Sequence, residues 1–281
     1  MRNLKKVLMI FSIFAIGLYA NDLDKDIINF EKKRLSNNAR VEIQDVKINT
    51  KLRMKMPINN WYGYIIDVKA KVKDKEINAK DIVFSNGVVV AADLLDLKTG
   101  KSLKDLLEPK FDTKYYSEKH LIAGNHKAKD KVVVFSDPLC PFCMDYVPDV
   151  IEHVNKNEDS IALYYYHFPL LRVHPASATL VKAMNIAKSM NIKDVESKVY
   201  QIDWDRYFKV DSKDEEEILK AFNKEFNIEI TKEELNNPTI MNSILEDVKI
   251  GEELMVRGTP TIFVNGEKDN TKLKYETLGD R

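Results

Sequence analysis

Two cysteines occur in 281 residues, and they stand together as Cys140-Pro141-Phe142-Cys143. Two adjacent thiols cannot tie distant parts of a chain, so a disulfide-stapled scaffold is excluded. The run Lys131-Val-Val-Val-Phe-Ser136 before them has the unbroken apolar character of a buried strand, and Met144 to Val154 behind them is amphipathic at helical spacing. Cys-x-x-Cys at a strand-to-helix junction has a specific chemistry. Unpaired N–H groups and the helix dipole stabilise an anion on the first sulfur, and the thiolate is the attacking species in disulfide exchange. Pro141 suits the first helical position because it gives up an N–H that has no helical partner. Cys143, one turn on, is placed to close a disulfide and release a bound partner. The spacing therefore predicts Cys140 as the exposed attacking thiol and Cys143 as the more buried resolving thiol, with Pro141-Phe142 as the active-site dipeptide.

Other chemistries fit these residues less well. A structural zinc site needs two more ligands, and the sequence has no second Cys pair and no His-x₃₋₅-His run, so no metal is expected. Soft thiolates alone suit a copper carrier, which stays open. A Cys–His hydrolase also stays open, since five histidines are present but none is tied to Cys140 by position. Closing so short a loop for structural reasons stabilises little. A chaperone with incidental cysteines is the non-enzymatic alternative.

Two groups of elements have to position these thiols. In the first, residues 22–36 read as a surface helix, followed by extended segments at about 40–48, 51–56 and 61–72. Ile82–Ser85, Asn86-Gly87 and Val88–Ala91 read as a hairpin with a type I′ turn. In the second, the strand at 131–136 and the cysteine helix lead to a strand at Ile161–Phe168 dense in tyrosine. Helices follow from Pro175, at about 194–208, at about 212–226 and from Pro238 to Val256, and a last strand, Thr261–Val264, turns at Asn265-Gly266. Met144, Met184, Met190, Met241 and Met255 fall in helical patterns and are expected in the core. His167 and His174 read as structural, and Trp61, Tyr62 and Tyr64 as sheet core or a contact surface.

Phe135-Ser-Asp-Pro-Leu-Cys-Pro-Phe-Cys143 resembles the active site of the DsbC/DsbG family of secreted thiol–disulfide oxidoreductases. Gly258-Thr-Pro-Thr-Ile-Phe-Val264 resembles that family's cis-proline loop, and Gly87–Gly100 the end of its N-terminal dimerisation domain. The resemblance implies an α+β protein: a helix-plus-antiparallel-sheet dimerisation domain at 21–105, a connector at 106–128, and a thioredoxin-like domain at 129–281 with a helical insertion at about 175–250. It implies that Thr259 and a cis Pro260 lie beside Cys140 and offer backbone to an extended substrate strand. Two departures stand out. Val134 occupies the position where thioredoxin and the DsbA oxidases carry a buried acid, and Pro141-Phe142 differs from the Gly-Tyr of the typical isomerase. Asp137, which matches the family, also suits a helix or turn cap. After Tyr275 there is little room for the usual terminal helix.

At the N-terminus, Arg2, Lys5 and Lys6 precede an apolar run from Val7 to Leu18 and then Ala20, the pattern of a cleaved signal over residues 1–20. Basic and acidic residues number 44 each; without the signal 41 stand against 44, and neither balance points to nucleic acid. The combined expectation is a periplasmic, homodimeric enzyme that isomerises or reduces disulfides in secreted proteins, uses no cofactor, and is served by a membrane thiol–disulfide redox partner. The alternative is an oxidase that donates its own disulfide to folding proteins.

Overall fold

The computed structural model describes residues 23–54, 60–73 and 75–279. The signal expected at 1–20 lies outside them. The chain divides into two compact units after Glu108. Its architecture is the expected α+β one: a helix with an antiparallel sheet, then a thioredoxin-like domain with a helical insertion.

In the first unit, helix α1 (23–36) is followed by β1 (Val41–Arg53), β2 (Tyr62–Val72), β3 (Lys75–Ser85) and β4 (Val90–Ala91), in antiparallel order β1-β2-β3-β4. Ile27 of α1 packs with Val46, Tyr64, Ile66, Val68 and Val83 from one sheet face. Two expectations change here. The segments expected at 40–48 and 51–56 are joined as far as Arg53 in one strand, β1, because register shifts between Ile43 and Asp45 and between Ile48 and Thr50 absorb the break in alternation; residues 55 and 56 lie outside the described residues. The Asn86-Gly87 turn is not type I′: only Gly87 has positive φ, and β3 and β4 pair through Ser85 and Val90, leaving a four-residue loop. Asn86 Oδ1 accepts from the amides of Val88 and Val89, which holds that wider loop.

In the second unit, β5 (Leu121–Gly124), β6 (Asp130–Ser136), β7 (Ile161–His167), β8 (Thr261–Val264) and β9 (Glu267–Lys268) form a sheet of order β5-β7-β6-β8-β9. β6 and β7 run parallel, joined by α2 (Pro141–Lys156), whereas β8 is antiparallel to β6. The type I′ hairpin is here, at Asn265-Gly266, where both residues have positive φ and Val264 pairs with Glu267. Residues 106–128, expected as a connector, contribute β5 and the buried Phe111, whose ring packs against Phe135, Tyr166 and Phe263.

Alternation sorts the central strands. Val132, Val134, Leu163, Tyr165 and Ile262 face α2 and the helices α3 (Ser177–Ser189), α4 (Val195–Gln201), α5 (Glu215–Phe226) and α6 (Lys232–Leu235). Val133, Phe135, Tyr164, Tyr166 and Phe263 face the side that carries Leu254 and Val256, just past α7 (Pro238–Glu253). Every residue of β7 is buried, because the strand is covered on both faces, pairs along its full length with β6 and is flanked at Ala162–Tyr164 by β5. The helix expected at 194–208 ends at Gln201, and a single 3₁₀ turn at Trp204–Arg206 follows. Met184 and Met255 are buried, but Met190 and Met241 are exposed: Met190 lies just past the end of α3, and Met241 on the outer side of α7.

Gly124 ends β5 with φ 74°, and a Cβ there would meet the Ile161 carbonyl oxygen at 1.9 Å. Gly124→Ala combines a left-handed backbone with a clash against main chain, and should cost about 2 kcal/mol or more. Urea unfolding should show a lower midpoint with an unchanged slope; an unchanged midpoint would contradict this packing.

Candidate active site

The site begins with the end of β6. Ser136 and Asp137 are fully buried, and Cys140 caps α2 in extended backbone (φ −75°, ψ 120°), with Pro141 in the first turn. Cys140 N–H donates to the Asp137 carbonyl at 3.1 Å, while the amides of Cys143 and Met144 donate to the Cys140 carbonyl at 2.9 and 3.1 Å. Both cysteines are free thiols.

Asp137 is the most heavily bonded group of the site. Its carboxylate accepts from Leu139 N at 2.9 Å, Leu170 N at 2.7 Å, His174 Nδ1 at 3.0 Å and Ser177 Oγ at 2.5 Å. It does form the turn contact expected of a cap, through Leu139. It also ties the cysteine turn to the loop after β7 and to the start of α3.

Cys140 exposes 4% of its surface and Cys143 none, so the contrast expected in exposure is small. The Gly258–Pro260 loop is what covers Cys140: the thiol donates to the Thr259 carbonyl at 3.4 Å, and the Thr259–Pro260 bond is cis. Phe142, between the two cysteines, is 74% exposed. The strong contrast is electrostatic. Cys140 is lowered to about 5, first by the hydrogen bond from Cys143, against the opposing effect of burial, then by Thr259 and the amides of Cys143 and Phe142. Burial, then the hydrogen bond to Cys140, holds Cys143 well above the ordinary thiol range. The Thr259 hydroxyl is buried without a hydrogen-bond partner.

Sequence reasoning thus brings Cys140, Pro141, Phe142, Cys143, Thr259 and Pro260 into one place. A thioredoxin family model matches residues 116–280, more than half of the chain. The chain belongs to the thioredoxin family. It is 26% identical over 213 residues to a probable disulfide bond formation protein D of Bacillus cereus, covering 71% of this chain and 93% of that protein. A protein of the same name from Bacillus anthracis is 24% identical over 209 residues, covering 69% and 90%. Among solved structures, oxidised BdbD from Bacillus subtilis covers 60% of this chain and 90% of its own at 18% identity, with a TM-score of 0.45. The resemblance to DsbC/DsbG therefore holds at the level of the thioredoxin fold and of disulfide chemistry; these relatives carry the name of disulfide bond formation proteins.

In this thioredoxin-family site, several contributors escape sequence reasoning. Ser136 Oγ lies beside the Cys143 sulfur and bonds Tyr200 Oη at 2.6 Å, which in turn bonds Tyr165 Oη at 2.7 Å. Ser136 was readable by alternation, since it shares a face with Val132 and Val134; Tyr200 carries no such signal. His174 reaches the site through Asp137. His167 is buried, pushed down to about 4 by desolvation, and its ring lies 5.1 Å from that of Tyr165. Among the described residues no helix is long and apolar enough to cross a membrane.

Because the folded Cys140 lies below the roughly 8.5 of a free thiol, its thiolate stabilises the reduced protein fully above that pH. The contribution is lost as pH falls through about 5. Alkylation of the reduced protein at Cys140 should rise with a midpoint near pH 5, while Cys143 stays unmodified at neutral pH. A Cys140 midpoint near 8.5 would contradict the assignment.

Proposed function

We propose that this chain is a thiol–disulfide oxidoreductase that donates its Cys140–Cys143 disulfide to protein thiols outside the cytoplasm. The observation that carries the direction is the depressed Cys140 thiol. A group that stabilises the reduced form makes the disulfide more oxidising, so electrons flow from client to enzyme. A client thiolate attacks the Cys140 sulfur, the bond to Cys143 breaks, and Cys143 leaves as thiolate. A second client thiolate then attacks the client sulfur, forming the client disulfide and releasing Cys140 as the favoured anion. The enzyme retains two electrons, and a membrane redox partner with a disulfide or quinone takes them up.

The relatives named for disulfide bond formation support this direction. The isomerase direction expected from the DsbC/DsbG resemblance runs through the same sulfurs; the stabilised Cys140 thiolate is compatible with it, but it needs a partner that keeps returning the enzyme to the reduced state. Export rests on the basic and apolar pattern of residues 2–18.

Oxidised enzyme, incubated with reduced ribonuclease, should restore ribonuclease activity in stoichiometric amounts, and Cys140→Ala should abolish this. In growing cells, acid trapping followed by alkylation should find the pair mainly oxidised and in the secreted fraction. A mainly reduced pair with reshuffling of scrambled ribonuclease would overturn the oxidase reading in favour of isomerisation.

A further inference from the structure

Cys143 sits without exposed surface beneath the first turn of α2, and the residue facing it from the middle of β6, Val134, is aliphatic and buried. A thiolate that forms or leaves in such a place needs donors, since the charge is cut off from water. Three hydroxyls supply a row of them. Ser136, the last residue of β6, points to the Cys143 side of the sheet. Tyr200 reaches it from α4 at 2.6 Å, and Tyr165 of β7 meets Tyr200 at 2.7 Å. All three residues are buried.

We propose that Ser136, oriented by the Tyr200–Tyr165 phenol pair, donates its hydroxyl to the Cys143 sulfur whenever that sulfur carries charge. This rests on the reading of Cys143 as the resolving thiol. The hydrogen count fits. Three hydroxyl protons serve three contacts when Tyr165 donates to Tyr200, Tyr200 to Ser136 and Ser136 to the sulfur. Burial raises both phenols well above their ordinary range, so they remain protonated donors and do not act as bases. The charged groups around them are otherwise engaged: the Asp137 carboxylate faces its four donors, and Glu196 pairs with Lys188 at 2.6 Å.

The step it serves balances within the protein and its adduct. In a mixed disulfide at Cys140, the Cys143 sulfur attacks the Cys140 sulfur as thiolate. The Cys140–Cys143 bond forms, the bond to the adduct breaks, and the proton given up by the Cys143 thiol is balanced by the one gained by the leaving sulfur. Two electrons pass from the cysteine pair to the adduct. Ser136 is the group assigned to the Cys143 sulfur, at the end of β6 on the face that packs with Cys143, and Tyr200 and Tyr165 are positioning residues behind it.

The test uses the full chain carrying glutathione on Cys140 and follows release of glutathione against pH. Ser136→Ala should slow release by about tenfold and move its pH profile upward by about one unit, the effect of removing one donor to a charged group. Tyr200→Phe, which keeps the ring, should slow it by roughly threefold through the weakened chain. In both variants Cys140 alkylation should stay within about twofold of wild type, a comparison that a general loosening of the site would not survive. Release at the wild-type rate and pH profile in folded Ser136→Ala would overturn the proposal, as would equal slowing of Cys140 alkylation. Should Tyr200→Phe fail to fold, Ser136→Ala reads the same step from the other end. Failure of the wild-type adduct to be released by Cys143 would instead sink the reading of Cys143 on which the proposal stands.

Discussion

The site depends on one buried carboxylate. Asp137 stands with no exposed surface, where an unmatched charge costs several kcal/mol. Its four donors come from the cysteine turn, the loop after β7 and the start of α3, so satisfying the charge fixes three separately encoded segments against each other. The same residue accepts from Cys140 N–H through its carbonyl and lends its own amide to the Cys143 sulfur. The position of the sulfurs is therefore set by a charge that takes no part in exchange.

From that frame the difference between two chemically identical thiols follows. Cys140, at the start of α2, receives the hydrogen bond of the Cys143 thiol and then the amides of Cys143 and Phe142, and the thiolate is favoured. Cys143, one turn deeper, meets Val134's side of the core and the neutral thiol is favoured. The sheet makes this possible: β6 is buried on both faces, so it ends at a fixed point and α2 starts there, while β8 runs antiparallel beside it and carries Pro260 to the same end. The functional unit is this meeting of two sequence-distant loops on one rigid strand pair.

What the sequence shows of this is what local rules encode. The apolar β6, the proline at the first turn of α2 and the acidic start of α5 after Asp214 are all readable, and each forms as its residues dictate. Less readable are elements stabilised by their neighbours. β3 begins Lys75-Glu-Ile-Asn-Ala-Lys-Asp, and residues 76–79 are all exposed, so their short alternation marks no buried face; it is a strand because β2 pairs with it along eleven positions. The two Asn-Gly pairs look alike in sequence, yet only Asn265-Gly266 makes the tight turn, since Ser85 and the Asn86 side chain favour a wider loop at the other. Ser136, Tyr200 and Tyr165 meet across sixty-four and thirty-five positions of chain, and only the tertiary fold brings them together.

The central claim is that the fold keeps one thiol of the pair ionised and the other protonated at neutral pH. The reduction potential of the Cys140–Cys143 pair, measured from pH 4 to pH 8 against glutathione, tests it most directly. With Cys140 lowered to about 5, reduction takes up two protons below that pH and one above it. The potential should fall by about 59 mV per pH unit at the acid end and by about 30 mV per unit from there to pH 8. A slope of about 59 mV per unit maintained through pH 8 would show two ordinary thiols and contradict the account.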